Sequence, residues 1–259
     1  MNHEALPLLE NDLAEPGVIG ADAWHQPLGG PRVAVLCFFN DLLTELAEKG
    51  QLRKVHTLRS EIGHNPVYEL TIDDQRLYVV HPGVGAPLAA GFMEETAALG
   101  VTTFVACGGA GALREDLALG QVMIVDSAIR DEGTSFHYAP PSRSLDADLL
   151  GVQIAAQVLE EEGVPHFIGR AWTTDAMLRE TRSRVQRRVD EGCSMVEMEA
   201  SALMAVAQFR GFRLAHLLYA GDMVAGAEWD SRHWDKAMSY RELVFRMACL
   251  IALRLDGSK

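Results

Sequence analysis

Short apolar runs alternate with segments of helical periodicity along most of this chain, and this alternation limits the fold more than any other feature. Most of the runs have the length of a strand and are apolar on both faces, which is typical of central strands in a buried sheet. The predicted strands are residues 32–39, 77–81, 103–107, 121–127, 166–173 and 213–220. The predicted helices are residues 41–49, 86–99, 146–162, 180–191, 199–210 and 239–255. The alternation predicts an α/β fold, a three-layer αβα sandwich with a central sheet between helices.

Glycines mark the predicted ends of several helices. Gly50, Gly100, Gly163 and Gly211 each stand where the chain has to leave the helix through a left-handed residue. Residues 1–31 are rich in proline, glycine and acids without sustained periodicity, so they are predicted to form an N-terminal arm lying on the domain or on a neighbouring subunit. Residues 32–259 are predicted to form one domain.

Composition excludes several classes of function. The chain has 259 residues, enough for one large α/β domain, and a net charge of −13 with a pI near 5.1. This charge argues against nucleic-acid and anionic-membrane partners, so small molecules are the expected partners. The four cysteines form no CxxC pair and no zinc spacing, and we predict reduced thiols, no metal and a cytoplasmic protein. We expect no membrane span, because no apolar run approaches about 18 residues.

Two glycine-rich segments follow predicted strands. The sequence CGGAG at 107–111 contains Gly108 and Gly109, and glycines at the carboxyl end of a strand let backbone N–H groups reach an anion or a sugar oxygen. It matches neither GxGxxG nor a P-loop, and glycines that simply permit close packing are the alternative. Residues 81–87 repeat the arrangement, with a helix beginning near Pro87. The two segments together predict one rim of a ligand site.

Polar residues follow two further predicted strands, at 131–138 and 172–177. Such mixed polar and aromatic segments are typical of a pocket wall, although a lone histidine is often structural and an aspartate there could cap the next helix. The residues predicted to line the pocket are His137, Thr174, Asp175 and Met177.

Glu197 and Glu199 stand at the start of a predicted helix, and Asp222 ends the next apolar run, one helix and one strand further along the chain. Acids near a helix N-terminus are favoured by its dipole, and Met198 between them is compatible with ordinary core packing. Ligands of open α/β sheets nevertheless bind at the carboxyl ends of strands. Carboxylates that converge on a glycine rim therefore favour a binding or catalytic site.

The sequence VEMEA at 196–200 resembles the signature of the nucleoside phosphorylase superfamily, and the resemblance extends from about Arg32 onward. The superfamily holds purine nucleoside phosphorylases, uridine phosphorylases and methylthioadenosine nucleosidases. The resemblance implies a twisted mixed sheet, with Met198 packed on the sugar, Glu199 bound to the ribose hydroxyls and Glu197 in the same ribose site. Asp222 is similar to the aspartate that protonates the leaving base in purine-type members. Residues 131–138 resemble a segment of uridine phosphorylases.

The resemblance also implies an acceptor for the cleaved sugar. Phosphate is the expected co-substrate, with no other cofactor, and Gly108 and Gly109 would lie beside sugar and phosphate. Two arginines that bind phosphate in phosphorolytic members are absent here: the first loop reads CFFND at 37–41, and Ala106 stands two residues before Gly108. Arg59 is the candidate for a third arginine, which a neighbouring subunit donates in the family. Asp41 is the only counterpart of the water-activating glutamate of the nucleosidases.

These features predict a pentosyltransferase of the nucleoside phosphorylase type, which cleaves the N-glycosidic bond of a purine or pyrimidine nucleoside and assembles as a homo-oligomer. A phosphate-independent nucleosidase and a nucleoside-binding protein without turnover are the alternatives. Asp222 favours a purine, whereas the charged residues 179–182 leave a pyrimidine possible or form a solvated helix face. Trp229 and Trp234 would either form a lid over the base or pack on the domain surface.

Overall fold

A computed structural model of the chain describes residues 6–10 and 12–258. In this part of the chain, ten strands form one sheet. The strands are β1 (Val33–Cys37), β2 (Arg53–Ser60), β3 (Gly63–Ile72), β4 (Gln75–Val80), β5 (Thr103–Ala112), β6 (Val122–Asp131), β7 (Ser144–Asp146), β8 (His166–Thr174), β9 (Cys193–Glu197) and β10 (Arg213–Met223). The α-helices are α1 (Asn40–Glu48), α2 (Ala86–Ala98), α3 (Leu149–Glu161), α4 (Arg182–Asp190), α5 (Ala200–Arg210) and α6 (Met238–Asp256).

The sheet is mixed, as predicted, and part of it closes on itself. β1 lies parallel between β4 and β5, and β5 is also parallel to β10. β10 is antiparallel to β6, which continues through parallel β8 and β9, and β9 returns to pair antiparallel with the end of β5. The strands β5, β10, β6, β8 and β9 therefore form a ring, which the sequence did not predict. β4, β3 and β2 extend the sheet on the other side.

Helices cover both faces of the sheet, which confirms the three-layer sandwich. One face packs on α2 and α5 in a core that includes Phe92, Phe104 and Leu203. The other face packs on α1, α3 and α6 in a core that includes Leu42 and Ile251. A small third cluster of apolar side chains, around Trp172, lies beneath α4. Burial of this much apolar surface is the main stabilising term for the fold.

The boundaries of several elements differ from their predicted positions. β5 continues to Ala112 and β10 to Met223, so the glycine-rich residues 108–111 and Asp222 lie in strands rather than in loops. β2, β3, β7 and β9 were not predicted, since β2 and β3 alternate polar and apolar residues in an exposed hairpin and β7 is only three residues long. The helix predicted at 146–162 begins at Leu149, because Asp148 caps it by accepting a hydrogen bond from the amide of Leu150 at 3.1 Å.

Two predicted helices near the acidic motif begin later than expected. The helix predicted at 180–191 is α4, which begins at Arg182, and the helix predicted at 199–210 is α5, which begins at Ala200. Glu197 is the last residue of β9, and Glu199 is the residue before the helix, so the acidic motif spans a strand-to-helix turn. The four glycines at predicted helix ends all have positive φ, which confirms their role as terminators.

The described part of the segment 1–31 lies against α2. His25 Nε2 is 2.8 Å from a carboxylate oxygen of Glu95, and the amide of Leu28 donates to the carbonyl of Leu99 at 3.0 Å. Residues 1–5 and 11 fall outside the described residues, and the boundary at residue 31 stays a prediction. No helix among residues 6–10 and 12–258 is long and apolar enough to cross a membrane.

Candidate active site

The ends of β5, β9 and β10 meet at Gly111. Gly111 pairs with Val196 on β9, and a methyl group added to it would lie 2.9 Å from Cγ1 of Val196 and 3.5 Å from Oδ1 of Asp222. The pairing of β10 with β5 shifts register between Ala220 and Met223, and Asp222 lies within this bulge. The absent side chain at Gly111 therefore brings the acidic turn and Asp222 to the same end of the sheet.

Glu199 is the central carboxylate of this region. It is only 6% exposed, and its Oε1 accepts a hydrogen bond from the amide of Gly85 at 2.5 Å. Gly85 has a φ of 93°, a conformation that other residues rarely adopt, and it directly precedes α2. Burial, and then the negative charge of Glu197, raise the pKa of the Glu199 carboxyl to about 8. Glu199 thus joins the acidic turn to the glycine turn at 81–87.

Glu197 fixes the turn that carries Met198 and Glu199. Its Oε2 accepts the amides of Glu199 and Ala200 at 2.7 Å each, and its Oε1 accepts the hydroxyl of Thr173 at 2.6 Å. Burial raises the pKa of the Glu197 carboxyl to about 7 in spite of these hydrogen bonds. Direct contact between Glu197 and ribose stays a prediction. Because protein donors already engage both carboxylate oxygens, its contacts favour a supporting role.

A buried polar layer lies beneath the turn, and the sequence did not reveal it. Glu132 accepts the hydroxyl of Ser201 at 2.9 Å and the amide of Ser135 at 2.9 Å. Arg130 donates from Nε to the hydroxyl of Ser135 at 2.8 Å, and its guanidinium stacks 4.0 Å from the ring centroid of Phe136. These contacts fold the segment 130–137 onto the start of α5.

The predicted base-pocket residues occupy two adjoining segments. Asp175 accepts the amide of Gly133 at 2.9 Å, so it joins the 131–137 segment to the end of β8 instead of capping a helix. Thr174 is buried, and its hydroxyl accepts the amide of Ala176 at 3.2 Å. Met177 is 59% exposed and His137 is exposed. The role of these residues at a base stays a prediction.

Asp222 lies beside a loop that folds back over the end of β10. Its Oδ2 accepts the indole N–H of Trp229 at 2.6 Å, and Trp229 itself is 62% exposed. Glu180, which the sequence did not single out as a site residue, is half-buried near Asp222. Partial burial, and then the charge of Asp222, raise the pKa of the Glu180 carboxyl to about 7. Two acidic side chains with different environments therefore occupy this side of the site.

Gly108 and Gly109 present backbone at the end of β5. Gly108 is buried, and a methyl group there would lie 3.3 Å from the ring of Phe38. Gly109 is exposed and adjoins Tyr219, whose hydroxyl would lie 3.2 Å from such a methyl group. A side chain at either glycine would crowd an aromatic ring, so the packing alternative explains part of this motif. The exposed backbone of Gly109 remains open to a ligand.

A buried cation lies directly behind Tyr219. Arg241 of α6 forms an ion pair with Asp41 and donates from Nε to the hydroxyl of Tyr219 at 3.4 Å. Its guanidinium carbon lies 5.7 Å from the ring centroid of Phe39 and 5.5 Å from that of Trp234. The side chain of Arg241 is 9% exposed, whereas that of Asp41 is 41% exposed. The sequence gave no signal for this arginine, because it comes from a helix that carries no motif.

Arg59 lies away from these groups in the described chain. It is exposed on β2, where it pairs in register with His64 across the hairpin. No hydrogen bond or ion pair among the described residues joins it to Gly108 or Gly109, so its phosphate-binding role stays a prediction. Within the same residues, no group of three or more His, Cys, Asp or Glu side chains is arranged to hold a metal ion.

The fold and the buried acidic turn define a nucleoside phosphorylase-like α/β protein. The sequence profile of the phosphorylase superfamily matches residues 32–251, and the chain belongs to that superfamily. It is 28% identical to a guanosine phosphorylase from Halorubrum lacusprofundi over 249 residues, which cover 92% of each chain.

A second relative agrees with this family, and a solved structure shares the fold. The chain is 32% identical to a uridine phosphorylase from Thermococcus kodakarensis over 148 residues, about half of each chain (52% of this one and 53% of the relative). The fold is similar to the crystal structure of a uridine phosphorylase from Vibrio fischeri ES114, with a TM-score of 0.73 and 21% identity over 92% of this chain and 99% of that one. The superfamily inferred from the VEMEA motif is therefore confirmed.

Proposed function

We propose that this protein is a nucleoside phosphorylase, which cleaves the N-glycosidic bond of a nucleoside and transfers the pentosyl group to phosphate. The observation that carries the proposal is the Glu199 carboxylate, buried at the start of α5 and held against the Gly85 amide at 2.5 Å. A buried carboxylate beside exposed backbone binds adjacent sugar hydroxyls, because each hydroxyl donates a hydrogen bond to an acceptor that lacks water. The guanosine and uridine phosphorylases among the relatives support the same activity.

The reaction passes through a sugar with oxocarbenium character and a leaving base that gains electrons. Glu199 in its ionised form stabilises the positive sugar and fixes its orientation through the hydroxyls. Met198 is half-buried between the two glutamates and offers an apolar surface for the sugar ring. Asp222, at the bulge of β10 beside Gly111, is the residue to which we assign protonation of the leaving base.

Phosphate is the acceptor that the surroundings of Gly109 support. A phosphate dianion is stabilised by positive charge nearby, and Arg241 supplies a guanidinium one side chain behind Gly109. Hydrolysis would instead need a base to activate water. Asp41 is the counterpart that the resemblance offers, and its carboxylate is already paired with the guanidinium of Arg241. The contacts therefore favour phosphorolysis.

A phosphate-dependence assay tests the proposal. Guanosine, inosine and uridine are incubated separately with the protein, with and without inorganic phosphate, and free base and pentose 1-phosphate are measured. We expect base release only with phosphate, in equal amounts with pentose 1-phosphate. Equal base release without phosphate would identify a nucleosidase. Binding without any cleavage would identify a binding protein, whereas cleavage that Glu199→Ala abolishes would exclude one.

We also propose that the protein acts as a homo-oligomer. Arg59 lies on the exposed β2–β3 hairpin, an element well placed to reach the site of a second subunit. The matched control is Arg53, which lies on the same strand and forms an ion pair with Glu69. Light scattering gives the subunit number. If Arg59 completes a neighbour's site, Arg59→Ala raises the KM for phosphate and leaves the subunit number unchanged, whereas Arg53→Ala changes neither. An unchanged KM in Arg59→Ala would refute this role.

A further inference from the structure

The loop after β10 turns back on itself and brings Trp229 to Asp222. Backbone hydrogen bonds pair Met223 with Asp230 at 2.8 and 3.1 Å and close the loop at its base. Trp229, the neighbour of Asp230, donates its indole N–H to Oδ2 of Asp222 at 2.6 Å. The position of the indole therefore depends on how firmly the rest of the loop is held.

The outer part of this loop has few groups of its own to hold it. Residues 225–227 are Ala, Gly and Ala, so no large apolar side chain packs them onto the domain. Among the described residues, the only hydrogen bonds between residues 226–228 and another part of the chain come from the side chain of Arg182 on α4. A glycine-containing segment without packing loses much conformational entropy when it is ordered, so these hydrogen bonds decide where it lies.

Arg182 directs its guanidinium at the loop backbone. Its Nη1 donates to the carbonyl oxygen of Val224 at 3.0 Å and also to that of Gly226, and its Nη2 donates to that of Ala227 at 2.5 Å. The guanidinium is a rigid planar fork, so carbonyl oxygens from four successive residues can converge on it only if the chain curves around it. We call these three contacts the carbonyl clasp.

The place of Arg182 on its helix supports a specific role. Arg182 is the first residue of α4, and side chains in a first turn project back beyond the start of the helix, which directs this one toward the loop. A cation at a helix N-terminus is disfavoured by the helix dipole, and no ion pair among the described residues joins Arg182 to a carboxylate. The carbonyl oxygens of the clasp are therefore the groups that compensate its charge. Arg187 lies exposed in the last turn of the same helix, where the dipole favours a cation.

We propose that Arg182 is a positioning residue of the reaction: the carbonyl clasp keeps the indole of Trp229 on Asp222 and so fixes the orientation of that carboxyl toward the nucleoside. The proposal deepens the phosphorylase function proposed above and rests on it. Arg182 acts through the loop and not on the nucleoside. Its loss slows the reaction because a catalytic group that is free to turn spends less time in the productive orientation.

A double-mutant cycle tests this role. The kcat/KM for the nucleoside that the wild type cleaves best is measured in the wild type, in Arg182→Met, in Trp229→Phe and in the double variant. Trp229→Phe alone should lower kcat/KM about three- to tenfold, and Arg182→Met should lower it at least as much. Adding Trp229→Phe to Arg182→Met should change it less than about twofold, because the indole has already left Asp222.

Arg187→Met is the matched control, since it removes an exposed arginine from the same helix. It should leave kcat/KM within about twofold of the wild type, and Trp229→Phe should keep its full effect in that background.

Hydrogen exchange measures the clasp without any reaction. The amides of Met223 and Asp230, which close the loop, should exchange at least about tenfold faster in Arg182→Met and at the wild-type rate in Arg187→Met. Mass spectrometry of the peptide spanning residues 223–230 gives these rates.

The outcomes separate this proposal from the proposed function. If the wild type cleaves no nucleoside with phosphate, the phosphorylase function itself is wrong. If the wild type cleaves a nucleoside but the effects of Arg182→Met and Trp229→Phe simply multiply, or loop exchange is unchanged in Arg182→Met, Arg182 is not a positioning residue and the phosphorylase function stands. Circular dichroism confirms that each variant is folded. If Arg182→Met does not fold, Arg182→Lys gives the same test, because one ammonium group cannot hold three carbonyls in the plane of a fork.

Discussion

Replacing Glu199 by glutamine should stabilise the protein at alkaline pH while abolishing its activity. Glutamine has nearly the same shape and keeps the oxygen that accepts the Gly85 amide at 2.5 Å. It carries no charge, so it removes the cost of holding an ionised carboxylate in a site that is 6% exposed. Loss of the negative charge of Glu199 accounts for both the expected gain in stability and the loss of ribose binding.

The pH window follows from the pKa of Glu199 in the folded chain. Burial and the charge of Glu197 raise this pKa from the ordinary value of 4.5 to about 8. A carboxyl whose folded pKa is raised binds more protons when folded than when unfolded, so folding loses stability as pH rises from about 4.5 to about 8. At about 1.4 kcal/mol per pH unit, and with the shift shared between Glu199 and Glu197, the penalty above pH 8 is on the order of 2 to 4 kcal/mol.

Urea unfolding followed by circular dichroism measures this penalty, with both proteins at the same concentration at pH 5, 7 and 8.5. The difference in unfolding free energy between Glu199→Gln and the wild type should be small at pH 5 and reach about 2 to 4 kcal/mol in favour of the variant at pH 8.5. Glu61→Gln, at an exposed turn, should show no such trend. A variant that is less stable than the wild type at pH 8.5 would refute the reasoning, since the carboxylate would then be stabilising the fold.

Three further substitutions test other parts of the structure. Arg241→Met should raise the KM for phosphate about tenfold or more and reduce phosphate's stabilisation of the protein in a thermal-shift assay, because the positive charge behind Gly109 is lost; an unchanged KM would show that its ion pair with Asp41 is purely structural. His216 is buried with neither ring nitrogen hydrogen-bonded among the described residues, and His216→Leu should raise stability by about 1 to 3 kcal/mol in urea unfolding without changing kcat. Trp229→Phe removes the N–H donor to Asp222, and kcat/KM for a nucleoside should fall about three- to tenfold while the melting temperature changes little.

The layers of the fold could be predicted from the sequence because central strands and amphipathic helices leave strong periodic signals. Helix ends at Gly50 and Gly211 followed from the local need for a left-handed residue. The hairpin of β2 and β3 was missed, because one of its faces is polar and exposed and its alternation was too weak to separate from a loop. The ring closed by β9 could not be predicted, since it depends on a contact between Gly111 and Val196 that no local pattern records.

The candidate site likewise contains residues that the sequence predicted and residues that it did not. Glu199 and Asp222 were predictable because they stand in a short motif and at the end of an apolar run. The groups that define their chemistry come from other parts of the chain: the Gly85 amide beside Glu199, and the indole of Trp229 beside Asp222. Spatial neighbours of this kind decide which carboxyl holds a proton, and a single sequence does not reveal them.

The buried acids link stability to binding. An ionised Glu199 is unfavourable in the ligand-free protein, because the hydrogen bonds that backbone amides such as that of Gly85 donate to it do not offset the cost of its burial. Two sugar hydroxyls would supply the missing donors, so a bound nucleoside lowers the pKa of Glu199 and offsets the cost of its charge. Burial of Glu199 therefore lowers the stability of the ligand-free protein and raises its affinity for a nucleoside. Ligand binding should stabilise the fold most where the carboxylate is ionised, above pH 8.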